Sequence, residues 1–138
     1  MCGIAGYVGE TVNPEKCLTE MAEVLNHRGP DDSGIWFDKE KSIGFAHSRL
    51  SILDLSYAGH QPMHSISKNN TIVFNGEIYN HKDLRSELES ISKRDWAGHS
   101  DTETLLAAIE EWGFEETLTK VKGMFSIALW DKNSSNLS

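Results

Sequence analysis

Met1-Cys2-Gly3-Ile4-Ala5-Gly6-Tyr7-Val8-Gly9 opens the sequence and joins a cysteine at position 2 to a short apolar run. Ile4, Ala5, Tyr7 and Val8 form a short apolar run that predicts a buried strand, which would pin the terminus inside the domain. Cys2 sits directly behind the initiator methionine. Removal of Met1 would leave a thiol and a free α-amine on one residue. An α-amine titrates at about 7.7–8.0, far nearer neutrality than a lysine. The pair is then a nucleophile carrying its own base. Gly3 lets other groups approach the backbone. The alternative is a small buried hydrophobe in an N-terminal strand, the usual fate of a free cysteine.

Working outward, 138 residues make one domain's worth of chain, long enough for a sizeable core. The net charge is −8, from 13 Lys+Arg against 21 Asp+Glu, with no basic cluster. That argues against nucleic acid or an anionic membrane as partner. Two cysteines, Cys2 and Cys17, cannot build a disulfide framework, and a reducing, cytoplasmic compartment fits them. No apolar run approaches a signal segment or a membrane span.

Asn13-Pro14 predicts a helix start, and Leu18, Met21, Ala22 and Leu25 predict its apolar face, ending near His27. Cys17 reads as packing on that helix. His27-Arg28-Gly29-Pro30-Asp31-Asp32-Ser33-Gly34 is a polar loop. Ile35–Phe37 and Ile43–His47 predict a β-hairpin, with residues 48–55 continuing extended. His60 and His64 have helical ligand spacing, but Pro62 lies between them and no third ligand is near, so no metal site is expected. Thr71–Phe74 predicts a strand. Asn75-Gly76 is the strongest hairpin-turn signal in the chain, yet the residues after it lead into a helix with Leu84, Leu88 and Ile91 on one face. Ser100-Asp101-Thr102-Glu103 is a capping box opening a helix striped by Leu105, Leu106, Ile109 and Trp112. A shorter helix over 115–120 comes next, then a strand over Met124–Trp130 read as buried on both faces, then a polar tail. The pattern is α+β, with sheets stacked and helices outside.

Amide hydrolysis needs a nucleophile, a base, an oxyanion hole and groups for the charged end of the substrate. Asn75 and Gly76 can offer a side-chain amide and a backbone N–H to an oxyanion. Arg49 can grip a carboxylate in a planar fork, and Glu77 and Asp101 can bind an ammonium. Each also has a plainer reading: a surface ion pair, a turn, and a favourable charge at a helix start.

Six motifs occur in order: Cys2-Gly3-Ile4, His27–Asp31, His47-Ser48-Arg49-Leu50-Ser51-Ile52, Asn75–Asn80, Ser100–Glu103 and Gly123-Met124-Phe125. Together they resemble the glutaminase domain of class II glutamine amidotransferases, within the N-terminal-nucleophile hydrolases. The run from His47 to Met63 is most similar to glutamine-hydrolysing asparagine synthetases. The resemblance implies a four-layer αββα sandwich of two antiparallel sheets between helices. It implies Cys2 as nucleophile with its α-amine as base, and Asn75 and Gly76 as the oxyanion hole. Arg49 and Ile52 would line the glutamine site, with Arg49 on the α-carboxylate and Glu77 and Asp101 on the α-ammonium. The His27–Asp31 loop would shape the pocket wall. The implied reaction is hydrolysis of glutamine to glutamate and ammonia.

Such domains are usually longer, so residues 1–138 are expected to be a partial glutaminase domain, truncated at the C-terminal end. The synthetase domain is expected to lie outside these residues, and ATP and Mg²⁺ would belong to it; no cofactor is expected in this domain. A homodimer is left open. Two other readings stand beside this one: a glutaminase serving a sugar-phosphate or phosphoribosyl acceptor, and a non-catalytic scaffold.

Overall fold

A computed structural model describes residues 2–52 and 54–138. The first strand, β1 (Gly3–Val8), is followed by α1 (Pro14–Val24), β2 (Asp32–Asp38) and β3 (Ile43–Arg49). These strands form an antiparallel sheet in the order β1-β3-β2. The period-two alternation of β3 divides its side chains. Ala46 meets Leu18 and Ala22 of α1, whereas Ile43 and Phe45 face the second sheet with Val73 and Trp130. Asn13 caps α1 by accepting the N–H of Lys16 at 3.1 Å, and Pro14 opens the first turn.

The second sheet holds β4 (Met63–His64), β5 (Asn70–Ile78), β6 (Gly123–Asp131) and β7 (Asn136–Leu137), antiparallel in that order. Its outer face carries α2 (His81–Ile91), α3 (Asp101–Trp112) and α4 (Phe114–Lys120). Ile72, Phe74, Ile78 and Leu129 pack there against Leu84, Leu105, Leu106 and Ile109. Truncating one such residue, as in Leu105→Ala, costs about 2–5 kcal/mol. The layers run α1, first sheet, second sheet, then α2–α4, the αββα order expected.

Local expectations fail where a distant segment takes over. Asn75-Gly76 makes no turn: β5 runs through it in unbroken register with β6, Asn75 opposite Ser126 and Gly76 opposite Phe125. Strand pairing overrides the turn propensity. The extended run after His47 ends at Arg49, and α1 ends at Val24, short of His27. Ile91 is half exposed and lies off the packed face of α2, which buries only Leu84 and Leu88. The strand read as buried on both faces is buried only at Leu129 and Trp130, while Met124 is 69% exposed. The polar tail folds back as β7 against Trp130 and Asp131.

Candidate active site

At one end of the sandwich a cavity of about 160 Å³ opens. Cys2, Arg49, Ile52, Asn75, Gly76, Glu77 and Asp101 all line it. These seven residues come from the position just before β1, the end of β3 and the loop after it, the second half of β5, and the first residue of α3.

Cys2 immediately precedes β1 and is held from two sides. The N–H of Leu50 donates to its Sγ at 3.4 Å, and the thiol lies 3.7 Å from the Leu50 carbonyl. Arg28 Nε donates to the Cys2 carbonyl at 3.1 Å. The loop that supplies Arg28 also braces the chain after β3. Asp31 N donates to the Arg49 carbonyl at 3.0 Å, and Asp31 Oδ2 accepts Ser51 N–H at 2.8 Å. Gly29 lies so close to Ser48 and Arg49 that a Cβ there would collide with their backbone. None of the residues His27–Asp31 lines the cavity, a correction to the expectation that this loop shapes its wall. Its polar groups hold the backbone of Cys2, Arg49 and Ser51.

Arg49 is buried, and its guanidinium donates to the carbonyls of Ser56, at 2.9 Å, and Asp54. The Asp54 carboxylate accepts Ser56 N–H and Oγ–H on one oxygen and His99 N–H, at 2.7 Å, on the other. Those hydrogen bonds hold its pKa down to about 2. Arg49 is thus tied through Asp54 to the turn that starts α3. Ser100 caps that helix by accepting Glu103 N–H at 3.1 Å. The other half of the capping box reaches further back, since Glu103 accepts the N–H groups of Ala97 and Gly98.

The open edge of β5 has a regular pattern. In an antiparallel strand every second residue points its N–H to the same edge. Phe74 N–H donates to Gln61 Oε1 at 2.7 Å, and Ile78 N–H donates to Asp101 Oδ2 at 2.8 Å. Gly76, midway between, turns its N–H to that same edge, where the cavity lies. A Cβ at Gly76 would strike the Met124 carbonyl and Phe125. The Asn75 side chain alternates to the opposite face from Phe74, toward the first sheet. Its Oδ1 is buried and has no hydrogen-bond partner among the described residues. Asp101 is buried, which raises its pKa against the opposing pull of the Ile78 N–H and nearby His81. Glu77 and Ile52 are exposed at the mouth, Ile52 by 67%.

A model of the glutamine amidotransferase domain matches residues 1–138. The chain belongs to this family. Among similar proteins, asparagine synthetase [glutamine-hydrolyzing] 3 of Bacillus subtilis is 38% identical, over 99% of this chain and 22% of its own length. Asparagine synthetase B [glutamine-hydrolyzing] of Escherichia coli K12 is 39% identical, over 95% of this chain and 23% of its own. The chain spans about a fifth of the curated relatives it matches. In fold, the amidotransferase domain is similar to a B. subtilis glutamine phosphoribosylpyrophosphate amidotransferase solved with ADP and GMP. The TM-score is 0.71 at 21% identity, over 94% of this chain and 35% of that one. The amidotransferase domain is of the class II, N-terminal-nucleophile type, related to the glutaminase domains of asparagine synthetases.

Sequence reading missed the side chains that hold backbone. Arg28, Gln61 and Asp54 each bind main-chain groups far away in sequence, and only Arg28 belonged to one of the six motifs. His60 and His64 go separate ways: His60 Nδ1 pairs with Asp32 at 2.7 Å and His64 Nδ1 with Thr71 Oγ1 at 3.0 Å. Among the described residues no three His, Cys, Asp or Glu side chains gather as a ligand set, and no helix is long and apolar enough to cross a membrane. The reading that Cys2 bears a free α-amine falls on Met1, which lies outside the described residues.

Proposed function

We propose that the amidotransferase domain hydrolyses the side-chain amide of glutamine with Cys2 as nucleophile. The observation that carries this reading is the convergence of seven residues, from four separate segments, on one cavity. With Met1 removed, the Cys2 α-amine takes the thiol proton and the sulfur attacks the carboxamide carbon. The carbonyl oxygen, now negative, receives hydrogen bonds from the Asn75 amide and the Gly76 N–H. The ammonium formed from the α-amine returns its proton to the leaving nitrogen, and the C–N bond breaks to release ammonia. Water then attacks the γ-glutamyl thioester, giving up a proton to the amine, and the C–S bond breaks to give glutamate and the free thiol. Arg49 binds the α-carboxylate, Glu77 and Asp101 bind the α-ammonium, and Ile52 covers the substrate's methylenes.

The names of the relatives support an asparagine-forming destination for the ammonia. In this reading the acceptor, with ATP and Mg²⁺, belongs to a synthetase region and not to residues 1–138, and the setting is cytoplasmic. The test is glutamate and ammonia release by the wild type and by Cys2→Ala. Equal release of both products by the wild type, lost in a folded Cys2→Ala variant, is the expected result. Retained hydrolysis in the variant would overturn the assignment.

A further inference from the structure

Phe74 is the residue just before Asn75, and side chains hold both of its backbone polar groups. Beyond Ile72, β5 has no partner from β4, which pairs only with Thr71 and Ile72. Two side chains occupy the vacated edge. Gln61 Oε1 accepts the Phe74 N–H at 2.7 Å, and His47 Nε2 lies 3.2 Å from the Phe74 carbonyl. A carbonyl only accepts, so Nε2 carries the hydrogen. Burial holds the His47 pKa down to about 4, and the ring is neutral near pH 7. His47 is fully buried, and Gln61, which also lines the cavity, is 5% exposed. The placement of His47 has a cost: its Nδ1 is buried without a partner among the described residues.

We propose that His47 and Gln61 are positioning residues that aim the two oxyanion donors. This inference rests on the reading given under Proposed function. The Phe74 carbonyl and the Asn75 nitrogen lie in one planar peptide group. The His47 hydrogen bond fixes that plane, and with it the direction in which Asn75 leaves the strand. The Gln61 bond fixes the preceding peptide, so the alternation that carries Gly76 N–H to the cavity cannot twist away. Oxyanion donors must be held within about 0.5 Å and 10–20° of the productive geometry to act. A second sheet edge would normally provide that rigidity, and here two side chains supply it. The bond from Gln61 Nε2 to Thr102 Oγ1 is long, at 3.4 Å, so holding Phe74 is its main task.

The test compares His47→Phe, His47→Gln and Gln61→Leu with the wild type in the processed protein. The expected loss in kcat for His47→Phe and Gln61→Leu is about 100-fold, the scale of a misplaced oxyanion donor. KM for glutamine stays close to the wild-type value. His47→Gln restores a donor toward the Phe74 carbonyl and recovers most of kcat. A γ-aldehyde analogue of glutamine, whose thiohemiacetal on Cys2 carries the oxyanion, loses affinity in parallel with kcat, whereas glutamate binding does not change. Glutamate and aldehyde affinities falling together, or kcat surviving in both variants, would overturn the inference alone. Wild-type protein inert toward glutamine would instead overturn the reading on which it rests. Should Gln61→Leu fail to fold, the His47→Phe and His47→Gln pair decides the question by itself.

Discussion

The backbone N–H of Leu50 donates to the Sγ of Cys2 at 3.4 Å across 48 residues of chain. Leu50 follows Arg49 directly, so one peptide unit links the thiol to the guanidinium. The spacing between the Cys2 sulfur and the Arg49 guanidinium is therefore set by the β1–β3 pairing, in which Gly3 faces Ser48. In the proposed mechanism, glutamine bound by its α-carboxylate at Arg49 spans that length to reach Cys2.

Arg49→Lys is expected to weaken glutamine binding and also to lower stability. Lysine keeps the charge but lacks the planar fork whose two separate nitrogens donate to the Ser56 and Asp54 carbonyls. Truncating one side of a buried charged contact costs about 2–5 kcal/mol, which should raise KM for glutamine. A lower melting temperature should accompany it; unchanged KM would remove Arg49 from the binding site.

Asp101→Asn separates stability from binding. Burial raises the folded-state pKa of Asp101 above its unfolded value. Stability contributed by such a group is fully present below the unfolded pKa and is lost as pH rises through the folded one. The charged form is thus a cost at neutral pH, and asparagine, which can still accept the Ile78 N–H, removes it. Urea melts at several pH values should show the variant gaining on the wild type as pH rises from about 4. Glutamine affinity should fall in the same variant, because the proposed partner of the α-ammonium loses its charge.

Asp54→Asn has the opposite sign. Hydrogen bonds from Ser56 and His99 lower the folded-state pKa of Asp54 from 3.8 to about 2. Its stabilisation is present above the unfolded pKa and is lost as pH falls through about 2. The variant should be less stable at pH 7 by on the order of 2 kcal/mol, the scale of hydrogen bonds to a charged group. The gap between variant and wild type should close as the solution is acidified across that window. A gap independent of pH would assign the loss to packing.

Much of the site was legible because its chemistry sits in short contiguous motifs. Taken singly, Cys2, Asn75, Gly76 and Asp101 each have a plainer reading, and only the ordered set of six motifs, through the resemblance it carries, singles them out; all four line one cavity. The three-dimensional roles of the neighbours were not legible. Gln61 and Asp54 act on main-chain groups of Phe74 and His99, and no local pattern encodes a bond 13 or 45 residues away. The same limit explains the fold's departures. Asn75-Gly76 has turn propensity, but nine residues of pairing with β6 outweigh it. The apolar run of β6 resembles a doubly covered strand, yet nothing covers Met124.

Intact-mass spectra paired with rates of ammonia release decide whether Cys2 acts as an N-terminal nucleophile, because that mechanism needs a free α-amine on Cys2. Preparations with graded removal of Met1 should hydrolyse glutamine in proportion to the processed fraction. Protein quenched during turnover should carry one glutamyl group on the Cys2 peptide. A preparation that fully retains Met1 yet releases ammonia at the processed rate would contradict the account.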